Sequence, residues 1–154
     1  MPHIHDKIDF VVDVFIVYGN KVLLRKHDKY KRWLGVGGHI ELNEDPNQAA
    51  VREVKEEVGL DITLIGKTNT FSNPEDGKEL IVPKFMNRHQ VIEDHEHISL
   101  IYFAKSDSTE IEQGKTEISE EIRWFTKDEL NDPSFGIPMR VATYAKKALE
   151  ELGS

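Results

Sequence analysis

The apolar and polar residues at the start of the chain follow a strand pattern. The run from Asp9 to Val17, DFVVDVFIV, is rich in β-branched and aromatic residues, and VLLR follows after the turn-forming segment from Tyr18 to Lys21. Two apolar runs joined by a short Gly-Asn turn are typical of a β-hairpin. The N-terminal part of the chain is therefore predicted to be an antiparallel hairpin.

A helix is predicted between Pro46 and Val58. Asp45 suits the N-cap position, and Gln48 is spaced to reach back to that cap. Gly59 supplies the stop signal. At about 100° per residue, four apolar residues gather on one side of this helix and are expected to face the core: Ala50, Val51, Val54 and Val58.

The remaining pattern predicts a mixed sheet and a late helix. The runs DITLIG, ELIVPKF, ISLIYFA and EIRWF are β-like, and Pro83 marks its strand as an edge or bulged one. From Pro138 onward, apolar residues recur at helical spacing. We predict one α/β domain over residues 1–154, with a mixed sheet between an early helix and a late one.

Composition narrows the chemistry. The chain has no cysteine, which excludes disulfides, thiolate metal sites and cysteine nucleophiles. No signal peptide or membrane-spanning run is evident, so a cytoplasmic location is expected. The formal net charge of −8 argues against nucleic-acid binding, and it means that a phosphorylated substrate would need a cation.

Three carboxylates share the side of the first helix next to its apolar side: Glu53, Glu56 and Glu57. Like charges at this spacing destabilise a helix, and acids in the last turn oppose the helix dipole. The cluster is therefore either a solvated charged face or a binding site for a hard divalent cation such as Mg²⁺. The glycines at 35, 37 and 38 and the acids Glu41 and Glu44 just before the helix favour the cation site.

Nine fixed positions in this region match a known pattern, the Nudix box G-x5-E-x7-R-E-U-x-E-E-x-G-U with U aliphatic. They are Gly38, Glu44, Arg52, Glu53, Val54, Glu56, Glu57, Gly59 and Leu60. The chain thus resembles the Nudix hydrolases, the MutT-like family. Trp33 and Gly37 before the box, Glu41 within it and the segment 120–125 near the end extend the likeness. The resemblance implies a Nudix-like α/β/α sandwich.

The resemblance also implies roles for individual residues. Glu53, Glu56 and Glu57 would hold Mg²⁺, with Mn²⁺ as the substitute, and the Gly37 carbonyl would be a backbone ligand. Arg52 would orient the glutamates and pair with Glu44. The implied reaction is attack of a metal-activated water on one phosphorus of a diphosphate, and Glu53 is our choice for the residue that activates the water.

Nudix sites often recruit one more acid from a distant loop. Glu120 is our choice for this fourth metal ligand, with Glu117 close behind it, and the alternative is that both are solvated loop acids. Two departures from the usual pattern stand out. Gly35-Val36 replaces a common Leu-Pro, and Asn43 replaces a common glycine, although Asn tolerates the left-handed conformation.

Two weaker signals remain open. Arg25, after the hairpin turn, is the candidate for holding a substrate phosphate, against the alternative of an ordinary surface charge. His95 and His97 share one face of a strand and are spaced as a transition-metal pair, but no third ligand is near them in sequence.

The leading hypothesis is a hydrolase acting on a nucleoside diphosphate linked to another moiety. A non-catalytic nucleotide sensor on the same fold is the alternative, although such modules commonly have an eroded box. An isoprenoid diphosphate isomerase would want an acid-base cysteine, which is absent. No second motif identifies the substrate, and the loop from Phe71 to Glu96 is expected to decide it. A monomer or homodimer is expected.

Overall fold

The computed structural model describes residues 7–115 and 118–154. Within them, eight strands form one mixed sheet, and three helices accompany it. The strands are β1 (Ile8–Tyr18), β2 (Lys21–His27), β3 (Trp33–Leu34), β4 (Val36–His39), β5 (Ile62–Leu64), β6 (Phe85–Ile92), β7 (His95–Ser106) and β8 (Ser119–Phe125). The helices are α1 (Pro46–Val58), α2 (Lys127–Leu130) and α3 (Met139–Leu152).

The strand β1 is the centre of the sheet. It pairs in parallel with β7 and antiparallel with β2 and β4, while β5 and β6 pair antiparallel with β7, and β3 and β8 with β2. The hairpin predicted at the N-terminus is confirmed, since Val17 lies opposite Val22. The β1–β7 pair makes the sheet mixed, as predicted.

The core has two halves, one on each face of the sheet. On one face, α1 packs against Val12, Val14 and Ile16 of β1. On the other, α3 packs against Phe15 and Val17. Because side chains alternate along a strand, β1 contributes to both halves and is covered on both sides. The arrangement is the α/β/α sandwich expected from the sequence.

The helix α1 begins and ends where its sequence signals predicted. The Asp45 side chain accepts a hydrogen bond from the Gln48 N–H, the Gln48 side chain returns the bond, and Gly59 adopts a left-handed φ of 73°. One prediction about its core face is wrong: Val51 is exposed, and Ala49 is buried instead. The helix is rotated so that its glutamate side turns partly toward the sheet.

The prediction of a strand over ELIVPKF is also wrong. Residues 79–83 form no regular structure, and β6 begins only at Phe85. Pro83 has no N–H for a strand ladder. The Asn47 side chain instead binds the backbone of Ile81, accepting from its N–H at 2.8 Å and donating to its carbonyl at 3.0 Å. A side chain of α1 thus takes the place of a neighbouring strand.

The segment expected to be a substrate loop, Phe71 to Glu96, contains the strand β6. The side chains of β6 alternate between partly buried and exposed. This strand forms a hairpin with β7 through a turn in which Asp94 has a φ of 61°. The C-terminal helix matches its prediction as α3. No helix among the described residues has the length and hydrophobicity needed to cross a membrane.

Candidate active site

Glycines in and beside β4 bring the backbone close to the acidic side of α1. A Cβ atom added to Gly38 would lie 2.5 Å from the Glu53 carboxylate, and one added to Gly37 would lie 1.9 Å from the Val12 carbonyl oxygen. Any side chain at these positions would displace the strand or the carboxylate. The paired glycines are therefore needed for the close approach of β4 to β1 and to Glu53.

Arg52 connects most of the acids in this region. Its guanidinium donates two hydrogen bonds to Glu44, at 3.0 and 2.7 Å, so the contact with Glu44 expected from the sequence is present. It also donates to Glu53 at 3.0 Å and to Glu56 at 3.1 Å. A fourth partner is the His39 carbonyl at 3.1 Å. One planar guanidinium thus fixes three carboxylates relative to β4.

These contacts shift the ionisation of both partners. Hydrogen bonding to Arg52 lowers the pKa of the Glu44 carboxyl, and hydrogen bonding to Glu44 raises the pKa of Arg52. Both groups are therefore charged across the neutral range. Glu44 acts as the anchor that holds the Arg52 guanidinium in place.

The acids outnumber their cation at this surface. Arg52 lies within 4 Å of carboxylate oxygens from four residues, and one guanidinium cannot neutralise them all: Glu41, Glu44, Glu53 and Glu56. The Glu56 side chain is 56% exposed, whereas the Glu53 side chain is 10% exposed. An excess of oxygen ligands, part of it open to solvent, fits a hard divalent cation that keeps several water ligands.

Glu57 is turned the other way, beneath α1. Its Oε2 atom lies 3.1 Å from Nε of Arg25 and accepts a hydrogen bond from the Gly37 N–H at 3.3 Å. Both partners of the ion pair are buried, with side-chain exposures of 9% for Arg25 and 2% for Glu57. The helix therefore presents two glutamates beside Arg52 and a third above the sheet.

Arg25 does not lie where a surface cation would. It is on the α1 face of β2, where its Nη1 atom donates to Ser119 at 3.4 Å and its Nε faces Glu57. The sequence suggested Arg25 as a phosphate ligand or as an ordinary surface charge; its burial excludes the surface charge, and the role as a phosphate ligand stays a prediction. Its contact with Glu57 was missed, because nothing in the sequence relates the two residues.

Two acids outside α1, Glu120 and Glu117, were the candidates for a fourth metal ligand. Glu120 lies with its carboxylate 3.1 Å from Lys31 Nζ, and its role as a fourth metal ligand stays a prediction. Glu117 lies outside the described residues. The segment before it packs on the end of α1, where the Glu112 N–H donates to the Val58 carbonyl at 2.9 Å. The described part of the loop between β7 and β8 that precedes residue 116 is thus attached to the glutamate helix.

Asp13 is a further acid that the sequence analysis did not single out. It lies on the α3 face of β1, and its Oδ1 atom would be 2.2 Å from a Cβ added to Gly35. Gly35, one of the departures from the usual Nudix pattern, thus leaves the space that this carboxylate occupies. Burial raises the pKa of Asp13 to about 6, although the charges of Arg140 and Arg25 oppose the shift.

Asp13→Asn is expected to stabilise the protein above pH 6 and to have little effect below pH 4. Between the ordinary pKa of 3.8 and the folded value of about 6, the folded protein binds more protons than the unfolded chain. Wild-type stability therefore falls as pH rises through this window, and the variant lacks that fall. Melting temperatures from pH 4 to 8 measure the difference, with the exposed Asp107→Asn as control. An equal difference at both ends would contradict this assignment.

Known proteins of one family resemble this chain in sequence and in fold. A model of the NUDIX domain matches residues 8–146. A crystal structure of a NUDIX-family hydrolase from Clostridium perfringens has 37% identity and a TM-score of 0.85, covering 93% of this chain and 97% of that one. The CTP pyrophosphohydrolase of Escherichia coli K12 is 28% identical over 107 residues, which are 64% of this chain and 77% of that protein.

A more distant structure shows the same fold. The MutT NUDIX hydrolase from Burkholderia pseudomallei has 21% identity and a TM-score of 0.65, covering 96% of this chain and 99% of that one. The similarity therefore extends over nearly the whole length of both chains.

Proposed function

This chain belongs to the Nudix hydrolase family, and we propose that it is a Mg²⁺-dependent pyrophosphohydrolase that cuts a diphosphate linkage in a nucleotide. Members of the family act on nucleotide-like substrates and generally use divalent metals. The observation that carries the proposal is the set of carboxylates around Arg52, since it leaves an excess of oxygen ligands beside a glycine-rich backbone.

The residues fit the cation that the family implies. Glu53 and Glu56 would hold Mg²⁺ beside Arg52, with Glu57, the Gly37 carbonyl and Glu120 as the further ligands proposed from the sequence. Mn²⁺ would substitute, since it takes the same oxygen ligands. When bound, the cation would neutralise phosphate charge and orient the diphosphate. A protein of net charge −8 needs such a cation to receive a polyanion.

The side chains around Arg52 have separate tasks in the proposed reaction. Glu44 anchors Arg52, and Arg52 in turn fixes the positions of Glu53 and Glu56. Glu53 takes a proton from the attacking water at its carboxylate. The water oxygen forms a bond to one phosphorus as the bond from that phosphorus to the bridging oxygen breaks. The electron pair of the broken bond stays on the bridging oxygen, which leaves as part of the departing phosphate, so two phosphorylated products form.

The proposed substrate is a nucleoside diphosphate linked to a further group, and that group can itself be a phosphate. This definition covers nucleoside triphosphates, and the likeness to a CTP pyrophosphohydrolase makes the pyrimidine triphosphates the first to test. The expected products are then a nucleoside monophosphate and pyrophosphate.

A substrate panel with Mg²⁺ tests the proposal. Nucleoside triphosphates, dinucleotides, sugar nucleotides and coenzyme A are incubated with the protein, and products are separated by chromatography. One class is expected to turn over, and Glu56→Gln is expected to reduce that turnover by at least about tenfold. Glu56 is preferred to Glu57 here because Glu57 is buried beside Arg25, so its replacement also affects stability.

Glu150→Gln is the matched control, because Glu150 is exposed on α3. It removes the same charge far from the glutamate helix and should leave turnover unchanged. Absence of turnover across the panel, together with tight nucleotide binding, would contradict the enzyme and support a sensor. Equal turnover in Glu56→Gln and Glu150→Gln would contradict the proposed site.

A further inference from the structure

Four of the seven histidines of the chain lie together on the α3 face of the sheet. The strand register explains why. Asp9 of β1 lies opposite His97 of β7, which lies opposite His89 of β6. His39 of β4 lies opposite Val11, two residues from Asp9. Because side chains alternate along a strand, these residues and His95 project from the same face.

The ligand atoms of this cluster are close together. Nε2 of His95 lies 3.0 Å from Oδ2 of Asp9, and Nε2 of His39 lies 3.3 Å from the same oxygen. One ligand atom from each of Asp9, His95 and His97 can be chosen so that all three lie within 4.8 Å of one another. The ring of His97 is 5.1 Å from that of His39 and 5.3 Å from that of His95, centroid to centroid.

These distances suit a small tetrahedral ion. Zinc–nitrogen bonds of about 2.0–2.1 Å place neighbouring ligand atoms about 3.4 Å apart in a tetrahedron. The Asp9–His95 and Asp9–His39 distances are already near that value. The ligand atom of His97 lies within 4.8 Å of those of Asp9 and His95, so His97 must rotate toward them to reach that spacing. The sequence offered His95 and His97 without a third ligand, and the fold supplies Asp9 and His39.

The surroundings of His97 favour its neutral imidazole, which has an available lone pair. Partial burial and then the neighbouring His39 and His95 lower the pKa of His97, while Asp9 acts in the opposite direction. His89 is held separately, because its Nδ1 atom lies 2.8 Å from Oδ1 of Asn87. We therefore place His89 beside the site rather than in it.

The carboxylate of β7, that of Glu96, does not compete with the histidines. Glu96 projects from the opposite face, where it forms two hydrogen bonds of 2.7 Å with Arg88. The glutamates of α1 also lie on the opposite face, since α1 packs against Val12 and Val14. The histidine cluster and the proposed Mg²⁺ site are thus separated by the sheet.

We propose that Asp9, His39, His95 and His97 form a transition-metal site, selective for Zn²⁺ and distinct from the carboxylate site of α1. Imidazole nitrogen with one carboxylate suits zinc, whereas Mg²⁺ prefers oxygen ligands. The site is independent of the hydrolase reaction. It joins β1, β4 and β7, so an ion there stabilises the folded chain over the unfolded one.

The test uses untagged protein stripped of metal with a chelator and then saturated with Mg²⁺, which occupies the carboxylate site. Zinc is added in a calorimetric titration, and Co²⁺ is added in parallel for its visible absorption. The expected result is one Zn²⁺ per chain, tetrahedral Co²⁺ bands, and a melting temperature that rises with zinc. His97→Gln is expected to weaken zinc binding by at least about tenfold.

Matched variants decide which histidines are responsible. His27→Gln alters a histidine on β2 that contacts Tyr30, and it should bind zinc like the wild type. His95→Gln provides a second variant of the site if His97→Gln folds poorly, as judged by circular dichroism. Glu53→Gln should keep its zinc affinity.

Three outcomes would overturn the proposal. One is the absence of zinc binding in the presence of Mg²⁺, which would leave Asp9 and its histidines as an ordinary ion-pair cluster. Another is zinc binding unchanged in folded His97→Gln and His95→Gln. The third is binding lost in a His3→Gln, His5→Gln double variant but retained in His97→Gln, since those two histidines lie outside the described residues.

Discussion

Glu53→Gln is expected to lower turnover by about 10²–10⁴-fold, the usual contribution of a general base, while the fold is retained. A glutamine oxygen can still accept the hydrogen bond that Arg52 donates at 3.0 Å to Oε1. The amide also fits above Gly38, where a Cβ would lie only 2.5 Å from the Glu53 carboxylate. The substitution therefore removes the charge and the proton acceptor with little change of shape.

Steady-state rates at saturating Mg²⁺ measure this loss. Circular dichroism and thermal melting check that the variant is folded, and Glu150→Gln serves again as the charge control. Wild-type turnover in Glu53→Gln would show that another group accepts the proton. A loss that higher Mg²⁺ concentrations reverse would show that Glu53 acts only as a metal ligand.

Arg25→Met is expected to lower the free energy of unfolding by about 3–5 kcal/mol, the usual effect of removing one partner of a buried ion pair. The Glu57 side chain is only 2% exposed and would lose the guanidinium that lies 3.1 Å from its carboxylate. The double variant Arg25→Met, Glu57→Gln should recover much of the loss, because no buried charge is then left behind.

Urea unfolding of the two single variants and the double variant provides the measurement. Lys26→Met is the control, since Lys26 is the next residue on β2 and carries the same charge without this contact. If Arg25→Met and Lys26→Met were equally stable, the ion pair would contribute nothing. If the double variant were less stable than Arg25→Met, the charge of Glu57 would not be the cause.

Local sequence signals predicted the glutamate helix and its neighbours well. The ends of α1 are set by residues close to them in sequence, namely Asp45 and Gln48 at its start and Gly59 at its end. The bounds of α1 could therefore be predicted from the sequence. The contact of Arg52 with Glu44 was likewise expected from the family pattern. Such features depend on residues close in sequence or on a motif with fixed spacing.

Contacts between distant parts of the chain were not predictable in the same way. The Arg25–Glu57 pair joins β2 to α1, and the contact of Asp9 with His95 joins β1 to β7. No local sequence pattern specifies either contact. The strand β6, FMNRHQVI, was missed because polar residues lie on its partly buried side as well as on its exposed side. Its sequence therefore lacks the alternation of apolar and polar residues that predicts a strand. The ELIVPKF run has strand composition, yet Pro83 and the Asn47 contact keep it out of the sheet.

The parallel pairing of β1 with β7 has a consequence for how this chain folds. Ile8 lies opposite Glu96 and Val17 opposite Lys105, so the centre of the sheet joins parts of the chain that are far apart in sequence. Closing so long a loop costs entropy before any strand contact compensates for it, which slows folding. During synthesis, one edge of β1 stays unpaired until β7 has left the ribosome, and the side chains of β1 are largely apolar. The hairpin partner β2 and the strand β4 are available earlier, and they shield the opposite edge of β1 while it waits.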